Sequence, residues 1–171
     1  MSFFSRIFGK ARKDRARLSP LWHRIVEIAR ERRWYAECGI ADTVAGRFDA
    51  ITLVLCLVLL RMEKDEELIE PSVRLTEIFV EDMDGQLRQS GVGDLVVGKH
   101  IGKLMGTLGG RLGALRETLS QGTEALAGVL ERNVTLVKGT DIATLVQEVL
   151  SLADQLEAMG REDLLAARID R

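Results

Sequence analysis

The eleven residues Ala50-Ile51-Thr52-Leu53-Val54-Leu55-Cys56-Leu57-Val58-Leu59-Leu60 decide how this chain is read, because a single polar residue, Thr52, interrupts them. As a helix the run would be about 16 Å long, half of the ~30 Å hydrocarbon core of a bilayer. Arg47 and Asp49 stand just before it, and Arg61, Glu63, Lys64 and Asp65 follow directly. A helix that is apolar on every side and too short to cross lipid belongs at the centre of a protein. The run predicts a bundle built around one buried helix.

Working outward, each neighbouring segment repeats apolar residues at helical spacing. Upstream, Ser19-Pro20 reads as a helix start, with a hydroxyl at the N-cap and proline in the first turn. Leu21, Trp22, Ile25, Val26, Ile28 and Ala29 follow on one face, and the helix is expected to end near Trp34-Tyr35. Downstream, a charged linker (Glu63 to Glu67) precedes a helix opening near Pro71, with the stripe Leu75, Ile78, Phe79, Met83 and Leu87. A fourth carries Ile101, Leu104, Met105, Leu108, Leu112, Leu115 and Leu119. A short fifth runs from Thr123 to Arg132, and a sixth, capped by Thr140 or Asp141, ends at Gly160. No alternating pattern competes as a strand. The expectation is an all-α, single-domain bundle of about six helices.

Composition agrees. The chain has 171 residues, 46% hydrophobic, with two prolines and two cysteines, which suits one domain with a real core. Disordered, collagen-like and disulfide-scaffold readings fail on those figures. The net charge of −2 hides a split: residues 1–33 hold ten Lys/Arg against three acids, a net of +7, leaving −9 for the remainder. Such a split separates a basic arm from an acidic body.

The arm, residues 1–18, places Phe3, Phe4, Ile7 and Phe8 on one helical face and Arg6, Lys10, Lys13 and Arg17 on another. An aromatic face beside a basic one is the pattern of a helix lying in the interface of an anionic membrane, with a disordered, soluble basic tail as the alternative. The body, residues 19–171, is the expected helical domain.

Several features imitate chemistry. Gly93-Asp94-Leu95-Val96-Val97-Gly98-Lys99-His100 matches a phosphate-binding loop except at its last position, where the magnesium-binding hydroxyl is replaced by His100. It also follows a helix instead of a strand. Nucleotide binding through Gly93 to Lys99 is the weaker reading. Gly98, Gly102, Gly106 and Gly110, with Gly109 and Gly113, mark a smooth face on the fourth helix. That face is expected to pack inside the bundle, with a partner's helix as the alternative. His23 and His100 lack orienting carboxylates, so no catalytic group and no metal or cofactor site is expected. Cys56 should be an inert core thiol, while Cys38, in a turn, is open to reaction. Glu77, Glu81, Asp82 and Asp84 form an acidic face.

Four blocks carry a resemblance: Trp34-Tyr35 with Cys38-Gly39; Gly46-Arg47-Phe48-Asp49; Phe79-Val80-Glu81-Asp82-Met83-Asp84 with Leu87-Arg88; and Gly91-Val92-Gly93-Asp94-Leu95 with Val97-Gly98-Lys99. Across residues 22–119 the chain is similar to the ubiquinol–cytochrome c chaperone family. That resemblance implies a non-enzymatic assembly chaperone for cytochrome b of respiratory complex III. It departs at Leu108-Gly109 before Gly110-Arg111, where the family tends to carry bulky aromatics. The resemblance implies a bacterial, cytoplasmic protein, peripheral on the inner face of the membrane. The cytoplasmic loops of cytochrome b should be rich in Lys and Arg, to which an acidic surface would answer. Partner contacts are expected at Trp34, Tyr35, Arg47, Phe48, Glu77, Glu81, Asp82, Asp84, Arg88, Asp94, Lys99 and Arg111. Mitochondrial relatives suggest a ribosome contact through the arm. A different client on the membrane or ribosome surface is the alternative, and specific nucleic-acid binding is not expected.

Overall fold

The computed structural model describes residues 3–89 and 94–171, with side chains omitted at 3–14, 87, 94–97 and 100. Among the described residues it is all-α: α1 (Phe3–Ala29), α2 (Arg32–Ala36), α3 (Val44–Met62), α4 (Ile69–Gln89), α5 (Asp94–Thr118), α6 (Thr123–Asn133), α7 (Ile142–Ala158) and α8 (Arg161–Leu165). A 3₁₀ turn, Glu66–Leu68, lies inside the charged linker. The apolar run is the centre, as its composition requires. Ten of its eleven residues are buried, and α3 packs against α1, α4, α5 and α7.

The first expected helix differs at both ends. α1 runs unbroken through Ser19 and Pro20, so that pair is not a helix start. Proline in a helix interior forfeits one backbone bond and costs about 3 kcal/mol. Here Leu18 on one side, and Leu21, Trp22 and Ile25 on the other, form one continuous buried stripe that offsets the loss. The Ser19 hydroxyl donates to the Arg15 carbonyl (2.9 Å) instead of capping. At its other end α1 stops at Ala29, and a break at Glu31 (ψ 135°) turns the chain into α2. The break folds two aromatics back over the helix end. Trp34 Nε1 donates to the Ile28 carbonyl (2.8 Å) and the Tyr35 hydroxyl to the Ala29 carbonyl (2.7 Å), occupying acceptors that a helix C-terminus leaves open.

α3 begins where Thr43 Oγ1 accepts from Gly46 N (3.1 Å). Gly46 is required there: a Cβ would run into the Ala41 carbonyl. Gly39 has φ +72°, and a Cβ would strike the Thr140 side chain. Between these glycines, Ala41 N donates to Thr135 O (2.8 Å) and Val137 N to Gly39 O (2.9 Å) around an isolated Ile40–Leu136 bridge. The α2–α3 connection is thereby sewn to the α6–α7 connection.

Beside this seam lies a buried polar cluster. Asp49, 6% exposed, accepts from Arg111 Nη2 (2.5 Å), from Thr135 N (2.8 Å) and from Thr135 Oγ1 (2.6 Å). Arg111 Nη1 donates to Thr52 Oγ1, whose own hydroxyl faces the Phe48 carbonyl (3.0 Å). Thr52, the one polar residue of the apolar run, thus serves the pair that binds α5 to α3.

The glycine face of α5 does not pack inside the bundle. Among the described residues, a Cβ at Gly98, Gly102, Gly106, Gly109, Gly110 or Gly113 would meet nothing within 4 Å. Leu108 and Leu115 bury the opposite side of the helix, so the glycines point outward. Met105 is 39% exposed, leaving the apolar stripe narrower than its spacing predicts. The sixth expected helix is α7, capped by Asp141, whose Oδ1 accepts from Ala143 N (3.0 Å).

Two substitutions test this framework. Arg111→Ala leaves Asp49 buried without its cation and should cost about 3–5 kcal/mol; urea denaturation reads the loss, and a cost below about 1 kcal/mol, the level of an exposed pair, contradicts the burial. Gly46→Ala should cost about 1–3 kcal/mol, because the backbone at Ala41 must move to admit the methyl group.

Candidate functional site

Of the twelve residues expected to meet a partner, ten fall into three groups, and Asp94 and Lys99 stand apart on α5. Two sit inside the fold. Trp34 is fully buried, with the Arg171 guanidinium 5.5 Å from its ring centroid. Arg171 and Glu148, each 6% exposed, pair with one another, and Arg33 (2.8 Å) also reaches Glu148. Arg111 belongs to the Asp49 cluster and also stands 5.8 Å from the Phe48 ring. Both are held within the body rather than presented at its surface, because each closes a buried charge network.

A second group converges on a groove of about 880 Å³ between α1, α3, α4 and α5. Val26, Val44, Phe48, Ile51, Met83 and Leu104 supply its apolar lining. Tyr35, Arg47 and Asp82 edge it, joined by Arg30 and Lys103, which sequence reading did not single out. Arg47 donates to Asp42 Oδ1 (2.6 Å), and that bond holds the Asp42 carboxyl below its ordinary value. Burial pushes the Tyr35 phenol up, against the pull of Arg47 and Arg30. Val44, at the first turn of α3, is 89% exposed.

The third group lies along the outer side of α4. Val73, Thr76, Val80 and Met105 line a shallow depression of about 500 Å³, and Glu77 and Glu81 border it. Ile69 and Val73, one turn apart, are 53% and 54% exposed and continue the apolar strip toward the start of α4. Glu77 accepts from Arg74 (2.7 Å) and Glu81 pairs with Arg15 (2.7 Å). Exposed pairs of this kind are worth at most about 1 kcal/mol and exchange readily for other cations. Asp84 and Arg88 satisfy one another (2.9 Å). Lys99 is exposed on α5, while the side chain of Asp94 lies outside the described residues. So do those of Phe3, Phe4, Arg6, Ile7, Phe8, Lys10 and Lys13; Arg17 is exposed on α1.

The chemical decoys resolve simply. Residues 94–99 are helical and α4 precedes them, so that part of the phosphate-loop lookalike is not a loop. Cys38 is not the open thiol its turn position suggests. It is 1% exposed, and burial, reinforced by the charge of Glu148, pushes its pKa up to about 11. Cys56 is buried and raised to about 12, mainly by burial. Among the described residues no group of three His, Cys, Asp or Glu side chains is placed to hold a metal ion, and no helix is long and apolar enough to cross a membrane.

The raised thiols set a pH dependence. Both stay protonated in the folded chain at pH values where unfolded thiols ionise, so their contribution is complete below about pH 8 and is lost as pH rises past 9. The loss should be roughly 1 kcal/mol per thiol at pH 10. Cys56→Ala should therefore flatten the decline in urea stability between pH 8 and pH 10. An unchanged slope would contradict the shift.

Comparison with known proteins agrees with the fold. The ubiquinol-cytochrome C chaperone family matches over residues 36–170. The crystal structure of the Cbp3 homolog from Brucella abortus superposes with a TM-score of 0.80 at 31% identity, covering 98% of this chain and 96% of that one. No curated protein matches. With most of its length inside the family match and nearly all of it aligned to the Cbp3 homolog's structure, the chain belongs to the ubiquinol–cytochrome c chaperone family.

Proposed function

We propose that this protein is an assembly chaperone that holds newly made cytochrome b at the inner face of the cytoplasmic membrane while respiratory complex III is built. Family membership supports the class of function. The observation that supports the mode of binding is the strip on α4, where exposed Ile69, Val73 and Met105 lie beside Glu77 and Glu81. The client is a set of apolar helices whose cytoplasmic loops and helix ends are rich in Lys and Arg. An apolar strip with an acidic border complements such a helix end in both respects. Arg15 and Arg74 occupy the carboxylates until the client's own cations replace them, at little cost because these pairs are exposed. Binding of this kind needs adhesion alone, with no bond made or broken.

The amphipathic arm is the membrane contact in this account. Arg6, Lys10, Lys13 and Arg17 each contribute about 1 kcal/mol near an anionic leaflet, and Phe3, Phe4, Ile7 and Phe8 enter the interface. The arm continues into α1, so a domain carried on it is held at a fixed orientation to the surface.

Reversing the acidic border with Glu77→Lys and Glu81→Lys tests the client reading. Co-purification of newly inserted cytochrome b should fall at least about tenfold while the melting temperature holds, since both residues are exposed. Cytochrome b recovered at the unaltered level would refute it. Replacing Arg6, Lys10 and Lys13 by Glu should cut flotation with anionic vesicles at least about tenfold and leave cytochrome b binding in detergent intact. Undiminished flotation would remove the arm from the account.

A further inference from the structure

We propose that the groove between α1, α3, α4 and α5 is a lipid site, taking one acyl chain of an anionic phospholipid with its phosphate among Arg30, Arg47 and Lys103. Three observations lead there. The groove, about 880 Å³, falls in the range of small-molecule sites, roughly 300–1,000 Å³, and its lining is mainly aliphatic and aromatic. Its edge is positive: Arg30, Arg47 and Lys103 face one acid, Asp82. Arg30 and Lys103 are exposed and have no ion-pair partner among the described residues, while Arg47 holds Asp42 only through an exposed pair. Finally, Tyr35 lines the same groove as Arg30 and Arg47, and both cations act on its phenol.

Charge selects the occupant. A client whose cytoplasmic segments carry Lys and Arg is repelled by this edge and drawn to the acidic strip on α4. A phosphate headgroup is attracted to it, and the acyl chain behind that headgroup covers Phe48, Ile51, Met83 and Leu104. Val44, an almost fully exposed aliphatic residue at the first turn of α3, then sits against the chain where it leaves the groove. The groove also lies at the C-terminal end of α1, the helix whose opposite end carries the basic arm. Lipid in the groove would give the body its own hold on the membrane surface.

The experiment presents lipid in detergent, so that the arm is not needed for delivery. The full chain is incubated with mixed micelles of dioleoylphosphatidylglycerol or dioleoylphosphatidylcholine, or with inorganic phosphate alone, and retained ligand is read by native mass spectrometry. One phosphatidylglycerol per chain is expected, favoured about tenfold over phosphatidylcholine, with no retention of phosphate alone. Arg30→Glu with Lys103→Glu, and separately Val44→Asp, should each cut retention about tenfold without moving the melting temperature, because all three side chains are exposed. No retained lipid overturns the proposal, as does retention indifferent to both variants. A photo-crosslinker at position 44 that captures cytochrome b in place of lipid would also overturn it and assign the groove to the client. Failure here leaves the acidic strip untouched, since that reading is tested by cytochrome b recovery from Glu77 and Glu81 variants.

Discussion

Asp49 and Arg111 form the interaction on which the arrangement depends. Removing two charges from water is costly, and the hydrogen bonds around the pair offset part of that cost. Thr135 completes Asp49 from the α6–α7 connection, and Thr52 supports Arg111 from within α3, while Arg111 Nε is buried without a partner among the described residues. Apolar packing alone would tolerate α5 sliding along α3; a buried pair with a fixed hydrogen-bond partner on each side does not. The register of α5 then decides which residues face outward. Lys103 and Leu104 reach the groove, Met105 reaches the strip on α4, and the glycines face open space.

Two surfaces of opposite character result, and both involve α4. Its outer side joins Met105 in an apolar strip bordered by Glu77 and Glu81, while Asp82 and Met83 turn toward a groove whose other charged members are cations. The overall charge of −2 conceals this division as thoroughly as it conceals the basic arm. In the proposed reading, the division would separate a surface for a cationic, apolar client from one for an anionic lipid. The two thiols are buried and held protonated.

The central helix was legible because eleven residues with one polar interruption admit no solvent-facing side. The remaining helices followed from their three-and-four spacing, and the family from four short blocks. What those blocks do was not legible. Gly39 is explained by Thr140, a hundred residues further along the chain, which local pattern cannot show, and Gly46 by the carbonyl of Ala41 in the turn before α3. Ser19-Pro20 carried a strong local signal for a helix start, yet a buried stripe on both sides of the proline overrode it. Trp34 and Arg111 entered the expected partner contacts through the family resemblance, while the structure places both in internal networks. Arg30 and Lys103 escaped notice because an unpaired cation becomes informative only when the apolar groove beside it is known. The α5 glycines suggested internal packing by analogy with close helix pairs, whereas the facing leucines had already fixed the opposite side as the buried one.

The central claim is that the outer strip of α4 holds cytochrome b before, and only before, complex III is complete. Photo-crosslinking from position 73 in native membranes, after a short pulse of labelled synthesis, tests this directly. The account predicts a crosslink to newly made cytochrome b that decays during the chase as assembled complex III appears. A crosslink that persists into the assembled complex, or its absence from position 73 while cytochrome b is still unassembled, would contradict it.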